Sequence, residues 1–248
     1  MGMTKKVPAY VTGVSSFCPG CGHGIVVRLI AEVVEEMGLK QYDAICALAV
    51  GCCCLVNSLM TIDRIGCPHG RAAAGASGIK RCRPDKLVFT YQGDGDAIAI
   101  GFSETVYAAQ RNEKITSIII NNNVYGMTGG QASPTTLVGQ KTSTTPSGRA
   151  LETNGPPVDI MKHLVQFDSV AYLARGSVHD AKNVMATKKY LRKAFDIQMA
   201  EGGYGCVEIL SPCPTNWHMV PKDALAWIAA EVINSYPLGE IKIGGEPK

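Results

Sequence analysis

The chain has 248 residues, 46% of them hydrophobic, and this length suits one α/β domain with a full core. Its 24 basic and 21 acidic residues are spread without a run of like charges, which argues against nucleic acid or a membrane surface as a partner. No window approaches the roughly 20 apolar residues of a membrane span, and the first ten residues lack the apolar stretch of a secretion signal. We therefore expect a single cytoplasmic domain over residues 1–248.

Short apolar runs alternate along the chain with stretches of helical spacing. Continuous apolar character is typical of strands covered on both faces, as in a parallel sheet. The predicted strands are 44–50, 87–92, 115–120, 170–174 and 206–210. The predicted helices are 25–37, 97–111, 180–200 and a last one from 221 to about 236. The pattern predicts an α/β fold, with a parallel sheet flanked by helices.

The segment 126–157 interrupts this alternation. It is dense in glycine, threonine, serine and proline and has no apolar period. Loops of this length are usually functional or disordered. We expect a lid or a cover over a cofactor, with a solvated surface loop as the alternative.

Two polar strand ends lie one crossover apart. Asp94 follows the strand 87–92, and Asn122 follows the strand 115–120, 28 residues further along. Because the carboxyl ends of neighbouring parallel strands share one edge of a sheet, both side chains face one small volume. Asp94, the side-chain carbonyl of Asn122 and the backbone carbonyl of Val124 would give Mg²⁺ three oxygen ligands and leave positions for a diphosphate.

The turn that carries Asp94 is rich in glycine. Gly93 and Gly95 let the backbone approach phosphate oxygens, and the N-terminus of the helix that begins near residue 97 favours an anion. A Gly-Asp-Gly turn alone is typical of plain β–α turns, but asparagines at crossover distance make the pair more specific. The combination resembles the thiamine diphosphate motif, in which Asp94, Asn122 and Val124 hold the magnesium.

Ten cysteines without a secretion signal indicate thiolate chemistry or burial, because a reducing cytosol does not keep structural disulfides. Cys18 and Cys21 form a Cys-x-x-Cys hairpin, which suits zinc, a redox dithiol or an iron–sulfur cluster. Thioredoxin-like use is disfavoured because no strand precedes the hairpin. Zinc and a cubane cluster both need two further ligands, for which Cys52 and Cys213 are the candidates, and the spacing does not decide between them.

The motifs as a set resemble the β subunit of 2-oxoacid:ferredoxin oxidoreductases. They occur in the family's order and span about 200 of the 248 residues. The segments that carry the resemblance are 18–23, 51–52, 69–71, 93–96, 122, 125–131 and 211–216. The resemblance implies a thiamine-diphosphate-binding fold with a cluster-binding segment at 15–24.

The resemblance also implies the ligands. A [4Fe–4S] cluster would be held by Cys18, Cys21, Cys52 and Cys213, and four thiolates meet the usual requirement of such a cluster. Cys53 and Cys54 stand where the family has small residues, so either is an alternative third ligand, with Cys52 favoured because it follows Gly51. The residues expected to contact the thiamine cofactor are Gly51, Cys52, His69, Gly93, Asp94, Gly95, Asp96, Asn122, Val124, Tyr125, Gly126, Met127 and Thr128.

The implied reaction is the coenzyme-A-dependent oxidative decarboxylation of a 2-oxoacid, with electrons passing through the cluster to ferredoxin. The loop 125–131 and the short chain favour 2-oxoglutarate, then branched-chain 2-oxoacids such as 2-oxoisovalerate, then pyruvate. His69 would be a proton donor or hydrogen-bond partner near the reacting centre, and Arg71 would meet the substrate carboxylate or the cofactor phosphate. Lys141 and Arg149 are further candidate cations for a second carboxylate.

The family takes the glutamate that activates thiamine diphosphate from a partner subunit, and no glutamate here stands in a comparable motif. Glu104 is the candidate within this chain, and an ordinary solvated or packing role is favoured for it. We therefore expect α, γ and ferredoxin-like δ partner subunits, besides ferredoxin. The rival interpretations are a non-redox thiamine decarboxylase or synthase subunit, and a binding module with structural zinc and a generic phosphate loop.

The remaining histidines and cysteines get structural interpretations. His23 is expected to support a sulfur or the backbone. Packing or surface roles are expected for His163, His179 and His218, and burial as small apolar side chains for Cys46, Cys67, Cys82 and Cys206.

Overall fold

The computed structural model describes residues 6–244 and 246–247. The predicted domain boundaries at residues 1 and 248, together with residues 2–5 and 245, lie outside the described residues. The strands are β1 (Ala44–Leu48), β2 (Asp63–Gly66), β3 (Leu87–Gly93), β4 (Thr116–Asn121), β5 (Val124–Tyr125), β6 (Gln131–Ala132), β7 (Tyr172–Ser177), β8 (Gly205–Leu210), β9 (Gly239–Ile243) and β10 (Glu246–Pro247).

The α-helices are α1 (His23–Glu36), α2 (Ala72–Cys82), α3 (Phe102–Gln110), α4 (Leu151–Asn154), α5 (Ile160–Leu164), α6 (Ala181–Met199), α7 (Pro214–Trp217), α8 (Pro221–Trp227) and α9 (Ile233–Ser235). Short 3₁₀ segments cover Gln41–Asp43 and Cys52–Ser58, and wider π turns cover Gly95–Ile100 and Ile228–Val232. No helix among the described residues has both the length and the apolar character needed to cross a membrane.

Eight strands form one sheet in the order β10-β9-β7-β8-β4-β3-β1-β2. The six from β7 to β2 are parallel, whereas β9 and β10 extend the β7 side with antiparallel pairing. Because β3 to β4 and β7 to β8 cross in opposite directions, right-handed crossovers place α3 and α6 on opposite faces. Helix α2 packs with α3, and α1 packs with α6. The predicted α/β class, a mainly parallel sheet flanked by helices, is confirmed.

The five predicted strands are present as β1, β3, β4, β7 and β8, but β7 lies later than the predicted 170–174. The later residues of the strand are polar, so they do not belong to the apolar run. They are nevertheless buried in the sheet, because hydrogen bonds satisfy them. The buried Arg175 guanidinium donates to Glu208 Oε2 at 2.7 Å, and the Ser177 N–H donates to Thr187 Oγ1 at 2.9 Å. The strand therefore continues past the end of its apolar run.

The apolar pattern did not predict strands β2, β9 and β10 or helix α2. Strand β2 is a short, largely exposed edge strand, so it has no apolar run. Helix α2 consists mainly of alanine and glycine, whose small side chains give little helical contrast. Strand β9 carries the buried Lys242, whose ammonium donates to the carbonyl of Phe167 at 2.7 Å.

The predicted helices correspond to α1, α3, α6 and the pair α8 and α9. Two of them differ from the prediction because they contain a π turn. The helix predicted at 97–111 begins as the π turn Gly95–Ile100 before α3, and the one predicted from 221 to about 236 is interrupted by the π turn between α8 and α9. Cys46 and Cys206 are buried as expected. The burial expected of Cys82 is wrong, because it lies exposed at the end of α2, and Cys67 is only partly buried.

Candidate functional site

The site lies at the carboxyl edge of the central strands. Cys52 follows β1, Asp94 follows β3, Asn122 follows β4 and Cys213 follows β8. These four strands are neighbours in the sheet, so segments that are distant in sequence end side by side. The predicted adjacency of Asp94 and Asn122 follows from the parallel pairing of β3 with β4.

A cavity of about 570 Å³ opens at this edge. All residues that the sequence assigns to the cofactor line it, and they are joined by three others. The lining residues are His23, Val50, Gly51, Cys52, Cys53, His69, Gly93, Asp94, Gly95, Asp96, Asn122, Val124, Tyr125, Gly126, Met127 and Thr128.

Asp94 is almost fully buried at the base of the cavity. Its Oδ2 accepts hydrogen bonds from Ser133 Oγ at 2.6 Å and from Thr135 Oγ1. Burial raises the pKa of this carboxyl from 3.8 to about 6, against the lowering effect of the two hydroxyls. A bound cation would offset the desolvation of the carboxylate, so the site is suited to a divalent metal.

Ser133 and Thr135 belong to the polar segment 126–157 and were not singled out from the sequence. The richness of that segment in serine and threonine was the signal. Arg149 fixes the segment, since its guanidinium donates to the backbone carbonyls of residues 133, 134, 154, 155 and 156. The segment is therefore folded against the site by internal hydrogen bonds.

Asn122 is held at both its side chain and its backbone. Its Oδ1 accepts from the N–H of Val124 at 3.3 Å, and its backbone carbonyl accepts from the indole N–H of Trp217 at 3.0 Å. Tyr125 packs over the Asp94 turn, where a Cβ on Gly95 would lie 2.1 Å from its ring. Glycine is thus required at position 95 by close packing of an aromatic ring.

Gly93 shows the opposite situation. A Cβ added there would meet no protein atom within 4 Å, although the residue lines the cavity beside Asp94. The space over Gly93 and the buried oxygens of Asp94 and Asn122 fit a magnesium-bound diphosphate. Hard oxygen ligands of this kind are those that Mg²⁺ prefers.

His69 lies at the wall of the same cavity. Its Nδ1 is 2.5 Å from Oδ2 of the buried Asp96, and the side chain is 34% exposed. Arg71 lies outside the lining residues, where its guanidinium pairs with Glu104 at 2.9 Å. The structure therefore brings His69 into the cavity and joins Arg71 to Glu104 beside it.

Cys18, Cys21, Cys52 and Cys213, here called the cysteine group, lie close enough for their charges to interact. Burial is the main cause that raises the pKa of Cys21 to about 12, and negative charge on Cys213, Cys52 and Cys18 contributes less. A Cβ on Gly126 would lie 3.2 Å from Cys52 Sγ and 3.7 Å from Cys213 Sγ. Two of the sulfurs therefore flank the loop that also lines the cavity.

The hairpin of Cys18 and Cys21 is fastened to the segment of Cys213. The N–H of Gly22 donates to the carbonyl of Pro212 at 3.3 Å, and a Cβ on Gly22 would lie 2.3 Å from Ser211 Oγ. Cys213 is oriented in turn by Asn216, whose Nδ2 lies 3.4 Å from its sulfur. No three histidine, cysteine or acidic side chains in the described part of the chain are placed to share a single metal ion.

Cys53 is buried, and burial together with the charges of Asp96 and the neighbouring cysteines, Cys52 among them, raises its pKa. The sulfur of Cys52, in contrast, lies beside that of Cys213 at Gly126, and the charges of Cys213 and Cys18 raise its pKa. The position of its sulfur supports Cys52 as the third member of the group.

His23 joins the cysteine hairpin to the cavity. Its backbone N–H is hydrogen-bonded to Cys21, and its ring nitrogen Nδ1 lies 2.7 Å from the hydroxyl of Tyr91. The ring also stacks on Phe17 at 5.0 Å between centroids. Burial lowers the pKa of His23 to about 4, so the imidazole is neutral near pH 7.

Comparison with known proteins identifies the family of the chain. Residues 49–209 match the family described as thiamine pyrophosphate enzyme, C-terminal TPP binding domain. Subunit VorA of a ketoisovalerate oxidoreductase from Methanothermobacter thermautotrophicus is 39% identical over 90% of this chain and 46% of its own length. The chain thus spans about half the length of these VorA relatives.

Subunit KorB of a 2-oxoglutarate synthase from Methanocaldococcus jannaschii is 39% identical over 80% of this chain and 69% of its own length. A solved 2-oxoglutarate:ferredoxin oxidoreductase from Magnetococcus marinus, with 2-oxoglutarate, coenzyme A and succinyl-CoA bound, matches with a TM-score of 0.75. That match has 27% identity and covers 86% of this chain and 70% of that one. The chain therefore belongs to the thiamine pyrophosphate enzymes, in the family of 2-oxoacid:ferredoxin oxidoreductase subunits.

Proposed function

We propose that the chain is the subunit of a 2-oxoacid:ferredoxin oxidoreductase that binds thiamine diphosphate and carries a [4Fe–4S] cluster. The observation that carries the proposal is the position of Cys52. It lines the cavity, and its sulfur lies beside that of Cys213 at Gly126. An electron acceptor held there would lie beside the bound cofactor.

The magnesium site would use Asp94, the Asn122 side chain and the Val124 backbone carbonyl. The hydroxyls of Ser133 and Thr135 orient the Asp94 carboxylate, and the Trp217 indole holds the Asn122 backbone. Residues outside the ligand set that fix ligand orientation commonly raise metal affinity. The open space at Gly93 would receive the diphosphate.

The cluster would be held by the four thiolates of the cysteine group. Each thiolate of a [4Fe–4S] cluster binds a different iron, so the sulfurs surround a volume instead of meeting at one ion. The pKa of Cys21 is raised by negative charge on the other three cysteines, which supports such a shared volume. A cluster distinguishes this proposal from a non-redox decarboxylase, which has no need of four cysteines.

Thiamine diphosphate supplies the carbanion chemistry that cleaves a 2-oxoacid next to its carbonyl. The chain's own residues bind, orient and shield. The ring of Tyr125 covers the Asp94 turn, and its hydroxyl donates to the Gly95 carbonyl at 3.3 Å. His69 presents an imidazole to the cavity and would hold or move a proton there.

Partner subunits would complete the enzyme. The relatives are named as subunits, which supports an assembly with α, γ and δ chains and with ferredoxin as the electron acceptor. We propose that the glutamate that activates thiamine diphosphate comes from such a partner. Glu104 is engaged with Arg71 outside the cavity lining and is a poor alternative.

We favour 2-oxoglutarate as the substrate, with branched-chain 2-oxoacids next and coenzyme A as the acyl acceptor. The KorB relatives and the Magnetococcus marinus structure support the first, and the VorA relatives support the second. Arg149 is occupied by backbone carbonyls, and Arg71 pairs with Glu104, so a second substrate carboxylate would be recognised mainly by a partner subunit.

The test is anaerobic purification of the tagged chain with its native partners, followed by iron, sulfide, zinc, thiamine diphosphate and magnesium analysis. We expect a brown protein whose iron is lost in Cys52→Ser and retained in Cys54→Ser and Cys82→Ser. A colourless protein that contains zinc would refute the cluster. Coenzyme-A-dependent reduction of ferredoxin, measured across a panel of 2-oxoacids, would identify the substrate, and full activity of the isolated chain would refute the need for partners.

A further inference from the structure

Asp96 differs from its neighbour Asp94 in how its oxygens are used. Its Oδ1 accepts from Gln92 Nε2 at 2.8 Å. Its Oδ2 accepts from the backbone N–H of Gly70 at 2.9 Å and lies 2.5 Å from Nδ1 of His69. Both oxygens of this buried carboxylate therefore have protein partners on the wall of the cavity.

These partners determine which nitrogen of His69 carries the proton. A carboxylate only accepts hydrogen bonds, so Nδ1 of His69 must donate to Asp96. In the neutral imidazole the other nitrogen, Nε2, is then an acceptor. Nδ1 is directed at the buried carboxylate and the ring lines the cavity, so Nε2 is the nitrogen left to face the cavity.

The backbone that carries His69 is fixed independently. Gly70 has a φ of +76°, and a Cβ there would lie 2.7 Å from the backbone of Ile100 and Gly101. The Gly70 carbonyl likewise leaves no room for a Cβ on Gly101, which would approach it to 2.4 Å. The turn is thus pressed against the end of the π turn that contains Asp96.

We propose that Asp96 is a positioning residue, which holds His69 with its Nδ1 protonated and its Nε2 presented to the cavity as a hydrogen-bond acceptor. This role adds to the cofactor contact that the sequence predicts for Asp96, which also lines the cavity. The Nε2 atom would accept from an O–H or N–H group of the bound cofactor or substrate. The proposal rests on the proposed function, because it assumes that thiamine diphosphate and a 2-oxoacid occupy the cavity.

The first test compares Asp96→Asn with Asp94→Asn in the assembled enzyme. The atom in the position of Oδ2 must still accept from the Gly70 N–H, so the amide oxygen of an Asn side chain would take it and hold Nδ1–H without the negative charge. We expect Asp96→Asn to keep its bound thiamine diphosphate and magnesium while kcat falls at least about tenfold. Asp94→Asn should lose the cofactor, and equal loss of cofactor in both variants would overturn the proposal.

A double substitution separates positioning from an independent role. His69→Asn keeps a donor near the position of Nδ1 but has no counterpart of Nε2, so it should bind the cofactor and lose turnover. Because Asp96 acts through His69, the pair His69→Asn and Asp96→Asn should be no slower than His69→Asn alone. Multiplicative losses would contradict the proposal. If the wild-type enzyme contains no thiamine diphosphate, it is the proposed function that fails.

Chemical rescue gives a second test that leaves Asp96 unchanged, in case its variant does not assemble. In His69→Ala, imidazole can donate one N–H to Asp96 and present its other nitrogen to the cavity. 1-Methylimidazole has no N–H to donate. We expect imidazole to restore activity at least about tenfold more than 1-methylimidazole at equal concentration. Equal rescue by the two compounds, or rescue by neither, would overturn the assignment.

Discussion

The indole N–H of Trp217 donates a 3.0 Å hydrogen bond to the backbone carbonyl of Asn122. Trp217 belongs to the segment after β8 that carries Cys213, and Asn122 ends β4 at the proposed magnesium site. The bond therefore joins the segment that carries Cys213 to the segment that would hold the metal.

Replacing Trp217 with phenylalanine should destabilise the chain by about 1–3 kcal/mol, because the buried carbonyl of Asn122 loses its donor. Urea unfolding measures the change. Trp227 packs on Trp217 with ring centroids 4.5 Å apart but does not donate to Asn122, so Trp227→Phe is the matched control. Equal losses in the two variants would show that packing alone accounts for the effect.

Gly126→Ala should lower the iron content of the purified enzyme. The new Cβ would lie 3.2 Å from Cys52 Sγ and crowd the space between this sulfur and Cys213. Gly78→Ala is the control, because a Cβ there meets no atom within 4 Å and helix α2 should gain about 0.5–1 kcal/mol. Normal iron content in Gly126→Ala would argue against a cluster next to this loop.

Binding of Mg²⁺ with thiamine diphosphate should strengthen as the pH rises through about 6. The pKa of Asp94 is raised to about 6 by burial, so the protonated carboxyl predominates below that pH and must lose its proton to bind metal. Affinity should fall by up to about tenfold per pH unit below the midpoint. Isothermal titration calorimetry across pH 5–8 measures it.

The same raised pKa affects the cofactor-free chain in the opposite sense. Since the folded state holds the proton more tightly than the unfolded state, the contribution of Asp94 to stability falls as the pH rises from about 4 to 6. Ser133→Ala removes a hydroxyl that lowers this pKa, so its binding midpoint should move upward. A midpoint unchanged by Ser133→Ala would contradict the assigned hydrogen bond.

Arg149→Lys should destabilise the chain by about 2 kcal/mol or more without changing the preference among 2-oxoacids. An ammonium cannot reproduce the fork that the guanidinium makes with the backbone carbonyls of residues 133, 134, 154, 155 and 156. Thermal unfolding and the substrate panel give the two measurements. The exposed Lys141 provides a control, since Lys141→Ala should leave stability unchanged.

The arrangement of Asp94 and Asn122 was predictable because it depends on sheet topology. Parallel strands joined by one helix end at a common edge whatever their detailed side-chain packing, so a spacing of one crossover was sufficient. The mutual position of the four cysteines needed more. They lie on segments that meet only because β8 is next to β4, and that order is not readable from the sequence alone.

The hydrogen bonds within the site were not predictable in the same way. Ser133 and Thr135 reach Asp94 because the segment 126–157 folds back over the site around Arg149, and no periodicity reports such a fold. The partners of Asp96 depend on the left-handed turn at Gly70. Long-range contacts of irregular segments therefore had to come from the structure.

The place of β8 in the sheet has a consequence for how the molecule is made. It is the last parallel strand in the sequence, yet it lies between β4 and β7. Until residues 205–210 have left the ribosome, both neighbouring strands keep an unpaired edge, and such long-range pairings form slowly. The edge that carries the proposed metal site is therefore completed late in synthesis, and a nascent chain that ends before residue 210 presents unpaired, aggregation-prone edges of β4 and β7 to a chaperone.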